Sequence, residues 1–339
     1  MASYDIPLSR DRNCHNGFFP EKSLRRSYCT VRSREIDMGN HLPHFGEGSL
    51  SRRRKNLIER FDGQKFLILG RPGCGKSSLV NSFNYVINLV DPRADYDEIA
   101  QVGASTGETK TRHLTKYDFR KEMYACLKGD ERRKAPAFFD LVGLPNQATL
   151  SDLISKLADG KIEEGTDMIS AVSEDDPSYR ENLGKEHREP QKSMAAWTII
   201  LVLSANEPFP EGLATDIKEA IGQIEELKER CKDAWNCTGF YFYFISAKDL
   251  RIFAFITKLD KITDKDRRDQ KVEDITQNFK MILNVPKHRV MQITNFTADD
   301  DYDTAKMKYR PNKNKELGIL NAFGKILTRA NCLDPFEAT

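Results

Sequence analysis

Gly70-Arg71-Pro72-Gly73-Cys74-Gly75-Lys76-Ser77 is the stretch that decides how this chain is read. Before it, Lys65-Phe66-Leu67-Ile68-Leu69 is a short apolar run that ends at Gly70, the pattern of a buried strand. After it, Lys76 to Val90 carries Leu79, Val80, Phe83, Val86, Ile87 and Val90 at helical spacing. The order is strand, glycine turn, helix. Such a turn, backed by a helix N-terminus, aims backbone N–H groups at an anion. In the form GxxxxGK[ST] the lysine adds a point charge on β- and γ-phosphates and the hydroxyl ligates Mg²⁺. Gly70, Arg71, Pro72, Gly73, Cys74, Gly75, Lys76, Ser77 and Ser78 are therefore the candidate phosphate-binding residues, with Lys76 and Ser77 also carrying chemistry.

Working downstream, further strands and helices alternate. Arg112 to Phe119 reads as a strand of loose alternation, and Ala135 to Leu141, Trp197 to Leu203, Ile252 to Ile256 and Val290 to Ile293 as apolar core strands. Glu211 to Cys231 is an amphipathic helix with Leu213, Ile217, Ala220, Ile221, Ile224 and Leu227 on one stripe. Gln270 to Leu283 and Leu317 to Cys332 are further helices. Alternation of this kind predicts an α/β fold with a mainly parallel central sheet flanked by helices on both faces. Residues 145–196 form a long charged insertion with a helix-like stretch at Leu150 to Leu157. Phe240 to Phe244 is an aromatic run, either an edge strand or a hairpin partner. The first 55 or so residues cluster Arg (Arg25, Arg26, Arg32, Arg34, Arg52, Arg53, Arg54) without periodicity. The expected organisation is a disordered basic tail over 1–58, one domain over 59–333, and a short tail over 334–339.

Two more segments carry chemistry because of where they fall. Asp140-Leu141-Val142-Gly143 closes the strand Ala137-Phe138-Phe139. There Asp140 would hold Mg²⁺ through water and the Gly143 N–H would sense a γ-phosphate. Thr257-Lys258-Leu259-Asp260 closes the strand Phe253-Ala254-Phe255-Ile256 and has the form [N/T]KxD. A carboxylate accepts both N1–H and the exocyclic N2–H of guanine, and adenine offers no such donor pair. Asp260 thus sets base choice, and the Lys258 stem lies over the base. Thr257 stands where Asn is commoner and braces the phosphate loop less fully. Thr106, Thr109 and Thr111 precede the second strand; one of them closes on Mg²⁺ and the γ-phosphate, and Thr109 is our candidate. Thr294-Asn295-Phe296 follows the fifth core strand, where a loop supplies backbone N–H to guanine O6. These ordered segments specify a P-loop NTPase G domain that takes GTP or GDP with Mg²⁺.

Composition narrows the class. In 339 residues, Lys+Arg is 53 and Asp+Glu is 51, a net charge of +2, so no bulk attraction to nucleic acid or to an anionic membrane follows. Seven cysteines, an odd number without CxxC spacing, fit a reducing compartment. Cys14, His15, Cys29, His41 and His44 match no standard zinc spacing. Asp5, Arg10 and Asp11 interrupt any signal-peptide core, and no apolar run reaches the ~20 residues of a membrane span. The expectation is a cytoplasmic protein without integral membrane contact.

Taken in order, the segments resemble the interferon-induced protein 44 family, cytosolic GTP-binding proteins distantly akin to the dynamin-like immune GTPases. The resemblance rests on Gly70–Ser78 with Asn81-Ser82-Phe83 behind it, Asp140-Leu141-Val142-Gly143-Leu144, and Ser151-Asp152-Leu153-Ile154 leading to Asp159-Gly160-Lys161-Ile162. It continues through Leu201-Val202-Leu203-Ser204-Ala205-Asn206, Thr257-Lys258-Leu259-Asp260 and Ile293-Thr294-Asn295-Phe296, and covers about residues 60–332. The insertion piece is the most family-specific, since other GTPases lack it. The resemblance implies an association with innate immune, antiviral defence. An insert around Phe240–Ser246 is additional to the family pattern.

Turnover is a separate question. Efficient small GTPases carry a Gln after DxxG that orients the attacking water. Leu144 stands there and cannot hydrogen-bond water; Arg71 in the turn or His113 in the Thr-rich segment is the alternative helper, while the expected reading is a solvent-facing Arg71 and an ordinary strand residue in His113. Two readings stay open: a slow GTPase that switches or forms a nucleotide-dependent homodimer, and a GTP-binding scaffold with negligible hydrolysis that works through unidentified protein partners. An ATP-using P-loop enzyme is the third class, and Asp260 argues against it. Dynamin-type membrane fission is disfavoured because only residues 333–339 follow the last expected helix.

Overall fold

The computed structural model describes residues 47–61, 63–88, 99–102, 111–119, 136–145, 150–169, 191, 194–196, 198–238, 251–297, 302–303, 308–309 and 312–330. All belong to one unit of the chain, Phe45–Thr339. Its strands are β1 (Lys65–Leu69), β2 (Thr115–Asp118), β3 (Ala137–Asp140), β4 (Thr198–Ser204), β5 (Arg251–Thr257) and β6 (Val290–Gln292). They form a six-stranded sheet in the order β2-β3-β1-β4-β5-β6. Every pairing is parallel except β2 with β3, which is antiparallel. A separate two-stranded ribbon pairs β7 (Tyr302–Asp303) with β8 (Lys308–Tyr309).

The helices are α1 (Glu47–Arg60), α2 (Lys76–Asn88), α3 (Ser151–Asp159), α4 (Glu211–Thr238), α5 (Lys265–Leu283) and α6 (Lys313–Ala330). Their placement follows from strand alternation. Leu67 and Leu69 of β1, Ile199, Leu201 and Leu203 of β4 and Ile252 and Ile256 of β5 face a core shared with α3, α4 and α5. The intervening Phe66, Ile68, Ile200, Val202, Phe253 and Phe255 face a second core shared with α1, α2 and α6. Period-2 alternation of apolar residues on both faces is what a doubly covered parallel sheet requires. The second core is aromatic: Phe323 of α6 stacks on Phe138 at 5.6 Å between centroids and meets Phe66, Phe83 and Phe61 around it. The α/β expectation and the mainly parallel sheet therefore hold.

Several boundaries differ from expectation. Most of the tail expected over residues 1–58 lies outside the described residues, but its last stretch is not a tail. Residues 47–58 are helical in α1, and Leu50, Leu57 and Ile58 are buried. The stripe Leu50, Arg54, Leu57, Ile58, Phe61 has helical spacing with a charge in the middle, which hides it from an apolar count. Arg54 is buried and bonds Glu316 of α6, itself buried, 262 residues away. A buried charge is tolerated only with such a partner, and the partner is not visible locally. Helix α4 runs seven residues past the expected Cys231, to Thr238. Helix α5 begins five residues before the expected Gln270. Asp264 caps it, its side chain accepting from the Arg267 N–H at 3.2 Å, and its first turns are exposed and so lack an apolar signal. Of the stretch Arg112 to Phe119 only β2 is a strand, half-buried along its length, with His113 forming an isolated bridge to Asp167.

The insertion at 145–196 is part of the fold where it is described. Leu153, Ile154, Leu157 and Ala158 of α3 are buried in the first core together with Leu213, Ile217 and Ile224 of α4. Residues 170–190, like the aromatic run Phe240 to Phe244, lie outside the described residues. Among the described residues no helix is long and apolar enough to cross a membrane.

Candidate functional site

Parallel strands end at one edge of the sheet, so the loops after β1, β3, β5 and β6 gather there. Strand β1 sits between β3, reached by one crossover, and β4, reached by a crossover in the other direction. A crevice opens at such a reversal, outside the carboxyl ends of the strands, and ligands of open α/β sheets bind in it. The turn Gly70–Ser77 follows β1 directly into this crevice.

The turn is pinned from within and from outside. Lys76 is buried, and its ammonium donates to the carbonyls of Gly70 and Arg71, both at 3.1 Å. The Leu144 N–H donates to the Gly70 carbonyl at 3.0 Å, tying the loop after β3 to the turn. Gly143 lies against Pro72 so closely that a Cβ there would sit 2.4 Å from Pro72 Cα and N. This contact explains the glycine of DxxG without any ligand. Gly143→Ala is expected to cost about 1–3 kcal/mol, as overpacking does. Urea denaturation measures it, and a midpoint equal to that of the unmodified protein would show that the two loops are not locked together.

Ser77 Oγ donates to Asp140 Oδ2 at 2.9 Å and lies 3.4 Å from Thr111 Oγ1. Two residues 63 apart in sequence, each singled out by its own motif, thus meet at the turn. Asp140 is fully buried, and among the described residues its Oδ1 meets no donor within hydrogen-bond geometry. Burial pushes the Asp140 carboxyl above its ordinary range, against the pull of the Lys76 ammonium and the Ser77 hydroxyl. A buried carboxylate oxygen without a partner costs free energy unless a cation or donor meets it. Among the described residues no group of three or more His, Cys, Asp or Glu side chains could hold a metal. One carboxylate beside hydroxyls instead suits Mg²⁺, which keeps several waters and takes phosphate oxygens rather than an all-protein cage. Thr109, the expected switch hydroxyl, and Thr106 lie outside the described residues; Thr111 is the threonine seen beside Ser77.

The loops after β5 and β6 reach the same turn. Thr257 Oγ1 is 2.6 Å from the Cys74 carbonyl and 3.2 Å from that of Leu203. Asn295 Nδ2 donates to the Gly75 carbonyl at 3.1 Å. The brace expected to be incomplete at Thr257 therefore has a second member in the side chain of Asn295, a residue expected to act through its backbone. Lys258 holds a left-handed conformation, φ 59°, rare for a non-glycine, and it turns the chain so that Leu259 is buried and Asp260 is exposed. Contrary to expectation, Phe296 does not turn its N–H toward the crevice. Its N–H donates to Ser82 Oγ at 2.8 Å and its ring is buried against Tyr85 at 4.8 Å. An N–H so engaged is not offered to a ligand.

Cys74 is a packing residue here: it is buried, and burial pushes its thiol up, out of thiolate range. Arg71 pairs with Glu207 at 3.6 Å, and both side chains are about one-third exposed. No motif pointed to Glu207, since its partner is 136 residues earlier. Asn81 and Ser82 did carry a signal, being polar on the buried face of α2; Asn81 accepts from the Ala100 N–H at 2.8 Å and donates to its carbonyl at 2.9 Å. Leu144 is fully buried. His113 is exposed on its bridge to Asp167. A polar cleft of about 510 Å³ opens beside this edge, lined by Asn206, Lys261, Arg267 and Lys271 among others and by no residue of the turn Gly70–Ser77.

No protein-family model matches the chain, and no curated protein matches it. The resemblance to the interferon-induced protein 44 family rests on the quoted motifs.

Proposed function

We propose that this protein binds guanine nucleotide at the turn after β1, in a G domain of the P-loop class, and that it is a slow GTPase acting as a nucleotide-dependent switch or self-assembling module. The observation that carries the reading is the Ser77–Asp140 bond at 2.9 Å beside the Lys76 ammonium. It supports a phosphate and cation site because the three groups come from two separate motifs, Lys76 and Ser77 from the glycine turn and Asp140 from the segment after β3, and serve no apolar core.

On this reading Lys76 exchanges its two carbonyl partners for phosphate oxygens. The N–H groups of the turn and of the start of α2 take the remaining phosphate charge. Ser77 and Asp140 would hold Mg²⁺, with Thr111 or Thr109 nearby, and the ion supplies neutralisation of the β- and γ-phosphates. Asp260 recognises the base edge, Lys258 lies on its face, and the backbone at Thr294 and Asn295 meets O6. In hydrolysis a water oxygen bonds to the γ-phosphorus, the bond to the β,γ-bridging oxygen breaks, and the water proton passes to phosphate or solvent.

Buried Leu144 favours the second reading, a GTP-binding scaffold with negligible hydrolysis that works through protein partners. No side chain at that position orients the water. Intrinsic turnover is therefore expected on the order of 10⁻² s⁻¹ or below, as for small GTPases without an activator. Equilibrium binding of GTP, GDP and ATP with Mg²⁺, followed by single-turnover hydrolysis over a range of protein concentrations, tests both. Failure to bind either guanine nucleotide sinks the proposal. Several turnovers per second in dilute protein would reveal a catalytic group not identified here. A rate that climbs with concentration would show a homodimer completing the site, and Arg71, released from Glu207, is the first residue to replace. The resemblance extends the proposal to a cytoplasmic role in innate immune defence.

A further inference from the structure

We propose that Asn295 is a positioning residue for the β-phosphate, acting through the peptide between Gly75 and Lys76; this rests on the guanine-nucleotide reading above. The geometry is that of a planar trans peptide, in which C=O and N–H point to opposite sides. The Cys74 carbonyl shares its plane with the Gly75 N–H, and the Gly75 carbonyl shares its plane with the Lys76 N–H. Thr257 Oγ1 holds the first carbonyl at 2.6 Å, and Asn295 Nδ2 holds the second at 3.1 Å. Held from outside, the two carbonyls turn the two N–H groups into the crevice. A single hydroxyl proton cannot serve both peptides, and Thr257 already lies between Cys74 and Leu203. The second brace therefore comes from another loop, 220 residues from Gly75.

The fit is close on both sides of the glycine. A Cβ at Gly75 would meet Asn295 Nδ2 at 3.1 Å and Thr257 Oγ1 at 3.7 Å, and φ there is +99°, open to glycine and strained for other residues. The Gly75 carbonyl also accepts the Leu79 N–H at 2.9 Å, the first turn of α2, so Asn295 is its second donor. A helix start needs only the first. The second fixes the rotation of the peptide, which matters for whatever the Lys76 N–H faces. Among the described residues, Asn295 Oδ1 is buried and meets no donor.

The test uses the full chain with Asn295→Ala and Asn295→Asp, and reads the ratio of GDP to GMP affinity by competition against a fluorescent guanine nucleotide. The two ligands differ only in the β-phosphate. The ratio is expected to fall roughly tenfold in Asn295→Ala, the worth of a hydrogen bond. It falls further in Asn295→Asp, where a carboxylate faces the Gly75 carbonyl. Should the aspartate fail to fold, the alanine gives the answer alone. A loosened base loop would weaken GMP and GDP by the same factor, and an unchanged ratio in protein that binds GDP overturns this inference while leaving the proposed function standing. Loss of both, with the unmodified protein binding neither nucleotide, overturns the two together.

Discussion

Lys76→Ala is expected to abolish tight nucleotide binding and to leave the fold in place. The ammonium is a cation aimed into a turn built largely of backbone, and its two bonds at 3.1 Å are to carbonyls that a phosphate would outbid. A charged hydrogen bond contributes about 1.5–3 kcal/mol, and contact with both β- and γ-phosphates makes two of them. The affinity loss is therefore about a hundredfold or more. The fold tolerates the change for three reasons. Alanine is the best helix former at the first position of α2. Removal of a buried ammonium also removes its desolvation cost. And the Gly70 carbonyl keeps the Leu144 N–H. The loss of positive charge beside Asp140 pushes that carboxyl further up, and so weakens Mg²⁺ as well. Titration calorimetry with GDP and with GTP, beside a thermal melt, measures both halves. A folded Lys76→Ala protein that binds GTP as the unmodified chain does would show that the glycine turn is not the phosphate site.

Asp260→Asn is expected to shift base choice from guanine towards xanthine. Asp260 is exposed in the short turn Leu259–Lys261 beyond β5, so its carboxylate is open to a ligand. Paired donors on guanine meeting one carboxylate make two charged hydrogen bonds. Their loss costs between about tenfold and a thousandfold in affinity. The amide turns one acceptor into a donor. Xanthine carries a carbonyl where guanine carries its amino group, so the variant weakens for GTP and gains for XTP. Preference of the unmodified protein for GTP over ATP should be of the same size. The bond from Thr257 to Cys74 at 2.6 Å means that the loop carrying Asp260 stays anchored to the phosphate turn, so the effect is not diluted by a loose loop. An Asp260→Asn protein that holds GTP undiminished and ignores XTP would remove the guanine reading and raise the ATP-using alternative.

What the chain determines by itself is local. Lys65–Leu69, the glycine turn and the stripe Leu79, Val80, Phe83, Val86, Ile87 announce strand, turn and helix because each pattern has its own period and its own backbone requirement. Alternating strands and helices then leave little besides a parallel sheet, and a parallel sheet brings the loops holding Lys76, Asp140, Asp260 and Asn295 to one edge. Partners far apart in sequence were decided only in three dimensions. Arg54 reads as the end of a basic tail until Glu316 neutralises it inside the core. Phe296 reads as part of a base loop until Ser82 takes its N–H and Tyr85 its ring. Asn295 reads as backbone until its amide meets the Gly75 carbonyl. In each case the residue type is ambiguous, and burial makes the choice: once water is excluded, a polar group must bond whatever the fold has placed beside it.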